Sequence, residues 1–146
     1  MLRFAESKLF GLLLQQAKFS TTRTVGNIDF TENDSFVKVL LNRPKALNSL
    51  NLQMIRDLTA NLNAIAKNKA FWIEGAGGKA FCAGGDVKAL FDKDAKLEDR
   101  LNFFREEFTL DYKISQLPAL QIANWDGIVM GGGFGVSAFS PFIIAT

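Results

Sequence analysis

Histidine is absent from the 146 residues of this chain, and cysteine occurs once, at Cys82. Without histidine, neither a Ser-His-Asp nor a Cys-His nucleophile system can be assembled from these residues. A single cysteine forbids an intrachain disulfide and any cysteine cluster for zinc. Acid–base work therefore falls to carboxylates, to lysines or to the single tyrosine, Tyr112. Long apolar runs are also lacking at the N-terminus. The run from Leu9 to Leu14 is six residues long and holds Gly11. That is short for a secretory signal core and far too short to span a bilayer.

Charge is unevenly placed. The net charge is +2, and residues 1–25 contribute Arg3, Lys8, Lys18 and Arg23 against Glu6, which is +3 and leaves −1 for the rest. The basic balance belongs to the N-terminus and gives no sign of a nucleic-acid surface. On a helical wheel Leu2, Ala5, Leu9 and Leu13 share one face, while Ser7, Lys8, Gly11, Gln15 and Lys18 lie opposite. Ser20-Thr21-Thr22 follows. Basic, amphipathic and almost free of acids, residues 1–25 read as a mitochondrial targeting segment removed near residue 20.

What remains, 28–146, has the makeup of one globular domain, the chain being 48% hydrophobic and 22% charged with 14 Phe. Phe36 to Leu41 predicts a strand that Pro44 ends. Asn48 or Asn51 can cap a helix carrying Leu52, Ile55, Leu58, Leu62 and Ile65 at helical spacing. Phe71 to Ile73 reads as a second strand, and Asp86 as the cap of a helix over 87–91. The stretch 97–117 reads as a long helix with Leu101, Phe104, Phe108 and Tyr112 inward, bounded by Pro118. Ala119 to Ala123 predicts a third strand and Phe142 to Ala145 a fourth. Alternation of this kind implies an α/β domain with parallel crossovers. A chain ending on an apolar strand is expected to be the N-terminal part of a longer protein.

Two glycine-rich segments interrupt the pattern: Lys79-Ala80-Phe81-Cys82-Ala83-Gly84-Gly85-Asp86 and Met130-Gly131-Gly132-Gly133-Phe134-Gly135. Each follows an apolar strand and opens a helix, so each presents unpaired N–H groups and the positive end of a helix dipole. Two such turns converging on one point can hold the oxygen of a polarised carbonyl. Taken with Asn42-Arg43-Pro44-Lys45-Ala46-Leu47-Asn48-Ser49-Leu50, Gly75 to Gly78 and Asp126-Gly127, these segments resemble the crotonase (enoyl-CoA hydratase/isomerase) superfamily. The resemblance covers roughly 28–146 and implies a spiral of ββα turns, present here only in its first part.

The resemblance also implies roles. The N–H groups of Gly85 and Gly132 would polarise a CoA-thioester carbonyl, and Arg43 and Lys45 would border the CoA. Hydratases of the superfamily place a catalytic Glu two residues after the triplet, where this chain has Gly135. Met130 to Ser137 and Phe103-Phe104-Arg105-Glu106-Glu107 are instead similar to the 3-hydroxyisobutyryl-CoA hydrolase branch, which acts in valine breakdown. There the second glutamate, here Glu107, would contact substrate. That branch's acid/base carboxylates lie beyond the counterpart of Ala145-Thr146, so this chain alone is expected to be inactive. The alternatives are a hydratase or isomerase relative and a non-catalytic CoA-binding fragment. No metal or cofactor is implied, CoA being part of the substrate. The expected partners are an acyl-CoA and, in a full-length form, further copies of the chain, with no nucleic acid and no membrane insertion.

Overall fold

Alternation of buried and half-exposed residues sets the first sheet. In the computed structural model, which describes residues 21–34, 36–62 and 70–146, Thr21–Val25 (β1), Ile28–Glu32 (β2) and Phe36–Leu41 (β3) form an antiparallel meander. Ile28 and Phe30 of β2 and Val37, Val39 and Leu41 of β3 all point into the core, the period of two a half-buried strand requires. Next come a 3-10 turn, Pro44–Ala46, and helix α1, Leu52–Leu62. Ala70–Gly75 (β4) then pairs with β3 in parallel. Ala80–Cys82 (β5) and helices Val87–Leu90 (α2) and Leu97–Ser115 (α3) lead to Leu120–Trp125 (β6), which adds beside β4. Ile128–Val129 (β7), Gly132–Gly135 (α4) and Phe142–Ala145 (β8) complete the order.

The large sheet runs β1-β2-β3-β4-β6-β8, and β5 pairs only with β7 in a second, smaller parallel sheet. Twice, then, a strand of the large sheet is followed by one of the small sheet and then by helix: β4–β5–α2/α3 and β6–β7–α4. This is the ββα turn of the expected α/β architecture. No helix among the described residues is long and apolar enough to cross a membrane.

Sequence and structure differ in four places. Strands β1, β5 and β7 are too Thr-rich or too short to carry a periodic signal, and β2, whose Ile28 and Phe30 do alternate, is a strand that the sequence reading omits. Thr21–Val25 belong to the sheet, although composition grouped them with the leader; residues 1–20 lie outside the described residues, as does Ile65. The helix opened by the triplet is regular for one turn only, as expected where glycine is the least favourable residue after proline. The fourth difference is the orientation of α3. Leu101, Phe104, Phe108 and Tyr112 are 54%, 45%, 66% and 67% exposed, whereas Phe103, Glu107, Leu110 and Ile114 are buried. The helix is turned to its opposite face, against α1, to which Arg56 and Glu106 tie it by two hydrogen bonds of 2.8 and 2.7 Å.

Candidate active site where two glycine turns meet

The small sheet brings the two glycine segments together. Met130 N donates to the Cys82 carbonyl at 3.1 Å, closing the end of β5 onto the residue after β7. Gly84 has φ +95°, and a β-carbon there would stand 3.0 Å from the Met130 carbonyl and 3.6 Å from Gly132 N. Only glycine permits that approach. The chain around Leu50 lies along the first turn: Leu50 N donates to Gly84 O at 2.8 Å and Asp86 N to Leu50 O at 2.7 Å. These bonds use the neighbours of Gly85 and leave its own N–H without a backbone acceptor among the described residues. Gly132 opens α4, so its N–H has no partner within the helix.

Both turns are held from behind. Ser137 is fully buried; its hydroxyl donates to Gly133 O at 2.7 Å and accepts from Trp125 Nε1 at 2.9 Å. Gln121 Nε2 of β6 donates to Val136 O at 2.8 Å. Asn48, also fully buried, donates from Nδ2 to Ala76 O at 2.9 Å and Ala80 O at 2.8 Å, while its Oδ1 accepts from Arg43 N at 2.9 Å. The cap of α1 is therefore Asn51, whose Oδ1 accepts from Met54 N at 2.9 Å. Asp86 caps α2 through Ala89 N at 3.2 Å.

Helix α3 forms the floor. Phe103 lies under Gly85, where a β-carbon would stand 2.9 Å from its Cζ. One turn further, Glu107 presses on Gly132, where a β-carbon would overlap its Oε1. A turn beyond that, the Asp111 carboxylate occupies the space of a β-carbon at Gly135. Burial, then the negative charge of Asp111, raises the proton affinity of Glu107, and burial pushes Asp111 up to about 6. Burial likewise pushes the Cys82 thiol up to about 11, so it stays protonated at neutral pH and is no nucleophile.

The two candidate cations part company. Arg43 is ion-paired to Asp86 at 2.6 Å and donates to Ser49 O at 3.1 Å. Burial opposes ionisation of Asp86, but hydrogen bonds from Arg43 and the Ala89 amide prevail and hold its carboxyl below the usual range. Lys45 stands exposed on the 3-10 turn. Thus Gly85, Gly132 and Glu107 come together, and Arg43 turns inward to brace a helix cap. Sequence reasoning missed Asn48, Ser137 and Asp111 as site supports. Asp111 alone left a usable signal, its spacing of four from Glu107 on a predicted helix.

Abutting glycine turns on a spiral of ββα units define the class of this protein, and sequence comparison agrees. The enoyl-CoA hydratase/isomerase family profile matches residues 36–146, and the chain belongs to that family. Among solved structures it is similar to an enoyl-CoA hydratase from Bacillus anthracis, with a TM-score of 0.71, 34% identity, and 82% of this chain aligned to 47% of that one. Among curated relatives it is 42% identical to the mitochondrial 3-hydroxyisobutyryl-CoA hydrolase of Xenopus tropicalis over 95% of this chain and 38% of the relative. With the protein of that name from Dictyostelium discoideum it shares 38% identity over 88% of this chain and 36% of the relative. The chain thus spans less than two-fifths of the length of these relatives.

Proposed function

We propose that this chain binds 3-hydroxyisobutyryl-CoA and supplies the carbonyl-polarising half of a site that hydrolyses it to 3-hydroxyisobutyrate and CoA, a step of valine breakdown. The observation that carries this reading is the pair of N–H groups, on Gly85 and Gly132, left without a backbone acceptor among the described residues where the two turns touch. The thioester oxygen sits between them, Glu107 contacts the acyl group, and Lys45 meets the CoA phosphates. Arg43 serves indirectly, through Asp86. No metal or redox cofactor is required. The second reading is a hydratase or isomerase, favoured by the likeness to the Bacillus hydratase; Gly135 offers no side chain for its acid–base step.

Calorimetry of the chain with 3-hydroxyisobutyryl-CoA and with free CoA tests this. Two additional net hydrogen bonds at about 0.5–1.5 kcal/mol each should make the thioester bind about 5- to 150-fold tighter. Equal affinities, or no binding of either, would sink the reading. Thiol release against hydration of crotonyl-CoA, in a form as long as the relatives, separates hydrolase from hydratase.

The reading includes delivery to the mitochondrial matrix by the basic amphipathic N-terminus, as a relative's name suggests. The pairing of Thr21–Val25 with β2 supports a removable leader that ends before Thr21. A fluorescent protein carrying residues 1–30 should colocalise with mitochondria, and its secretion would refute this.

A further inference from the structure

The face of α3 turned to the triplet carries two carboxyl groups one helical turn apart. Glu107 is only 6% exposed and Asp111 is half-buried, with Oδ1 sealed from solvent and without a partner. No hydrogen bond from a described residue reaches the Glu107 carboxylate. The acids in ion pairs among the described residues are Glu74, Asp86 and Glu106, so neither member of this pair is neutralised that way. Both are packed onto glycines that have no side chain to keep them away: Glu107 onto Gly132 and Asp111 onto Gly135. Two buried, unneutralised carboxylates at this spacing repel each other and lack the hydrogen bonds that would make their joint ionisation tolerable. One shared proton removes the repulsion.

We propose that Glu107 and Asp111, packed one helical turn apart onto Gly132 and Gly135, act as one coupled pair in which the charge of either carboxylate delays ionisation of the other. Asp111 is the positioning residue: its charge raises the proton affinity of Glu107 and so sets the charge state in which Glu107 meets the acyl group held at Gly132. The surroundings agree. Burial raises both groups, Asp111 to about 6. From β5 the pair faces Cys82, whose thiol stays neutral. Helix α4 brings no titratable side chain, and α1 brings Arg56, which is committed to Glu106. Use of the pair in a reaction rests on the acyl-CoA reading. Its existence does not, so the test reads protonation alone.

Infrared spectroscopy follows the stretch of protonated carboxyl groups during a pH titration of the whole chain, and tolerates self-association. In the wild type, one protonated carboxyl should persist to about pH 6, after the other acids have ionised. Asp111→Asn should collapse the two steps of the pair to one, about one pH unit below the original upper step. Glu107→Gln should lower the midpoint of Asp111 by the same amount, because the coupling is reciprocal. A merely structural role would not lower the two remaining midpoints by equal amounts. If one variant fails to fold, by circular dichroism, the other carries the same coupling and decides the matter. Absence of a late-titrating carboxyl in the wild type, or unchanged midpoints in the folded variants, overturns the pair. Failure of acyl-CoA to bind would leave these titrations unaltered and sink only the function proposed above.

Discussion

Gly132→Pro should lower the kcat for thioester hydrolysis by about 10²–10³-fold, in a form of the protein long enough to complete the reaction. The loss corresponds to about 2.7–4 kcal/mol of transition-state stabilisation, the usual effect of removing one oxyanion donor. Proline deletes the N–H, and its fixed φ suits the first position of a helix, so α4 is retained. Its ring carbons, however, enter space held by Glu107 Oε1, and a β-carbon there stands 3.3 Å from Leu50 Cδ1. Two effects are therefore mixed. A backbone ester in place of the Gly132 amide separates them, because it removes the donor and adds no atoms on the Glu107 side. Gly132→Ala does the reverse, keeping the donor while displacing the carboxylate. Steady-state thiol release on all three apportions the loss. Near-normal kcat in the folded ester variant would remove Gly132 from the oxyanion role, whatever the proline variant does.

Asn48→Ala should destabilise the fold by about 3 kcal/mol or more in urea denaturation. The side chain is fully buried and makes three hydrogen bonds, joining Arg43 N to the carbonyls of Ala76 and Ala80. Each buried group left unpaired costs about 1–3 kcal/mol, with some relief from relaxation. Residue 48 also has φ +56°, which asparagine tolerates better than alanine. Asn48→Gly isolates this contribution: it should recover about 1 kcal/mol of the loss and no more. Asn48→Asp keeps the shape and the acceptor but deletes both donors to carbonyl oxygens, so it should remain well below wild type. A loss under about 1 kcal/mol in the alanine variant would mean that the 43–48 turn is held by packing instead of by this amide.

Much of the frame was legible. The strands at Phe36–Leu41 and Phe142–Ala145 have the bounds their apolar runs imply, and Asp86 caps α2 as its place before Val87 implies. Helix α3 was found but faced the wrong way. Leu101, Phe104 and Phe108 form a stripe at helical spacing, and a pattern rule prefers it to a face interrupted by Glu107. That rule assumes a buried face is apolar, which fails where a carboxyl group is packed against a glycine turn. The pairing of Arg43 was hidden for a related reason. A cation beside a proline turn looks free until Asp86, distant in sequence, is folded against it at 2.6 Å.

What the amino-acid sequence determined by itself is the local chemistry. Missing histidine and a single cysteine leave acid–base work to carboxyl groups, lysines or Tyr112, and the two glycine segments mark where the backbone must be approached closely. Those properties belong to residue types and survive any arrangement. Only the tertiary structure decided which groups meet. Pairing of β5 with β7 sets Gly84 against Gly132, and packing of α3 on α1 turns Glu107 and Asp111, not Phe104 and Phe108, toward the triplet. These are contacts between segments far apart in the chain, and no periodicity within a segment encodes them. Burial then changes what the side chains are chemically: the same Asp111 that would ionise near 3.8 in water holds its proton to about 6 beneath Gly135.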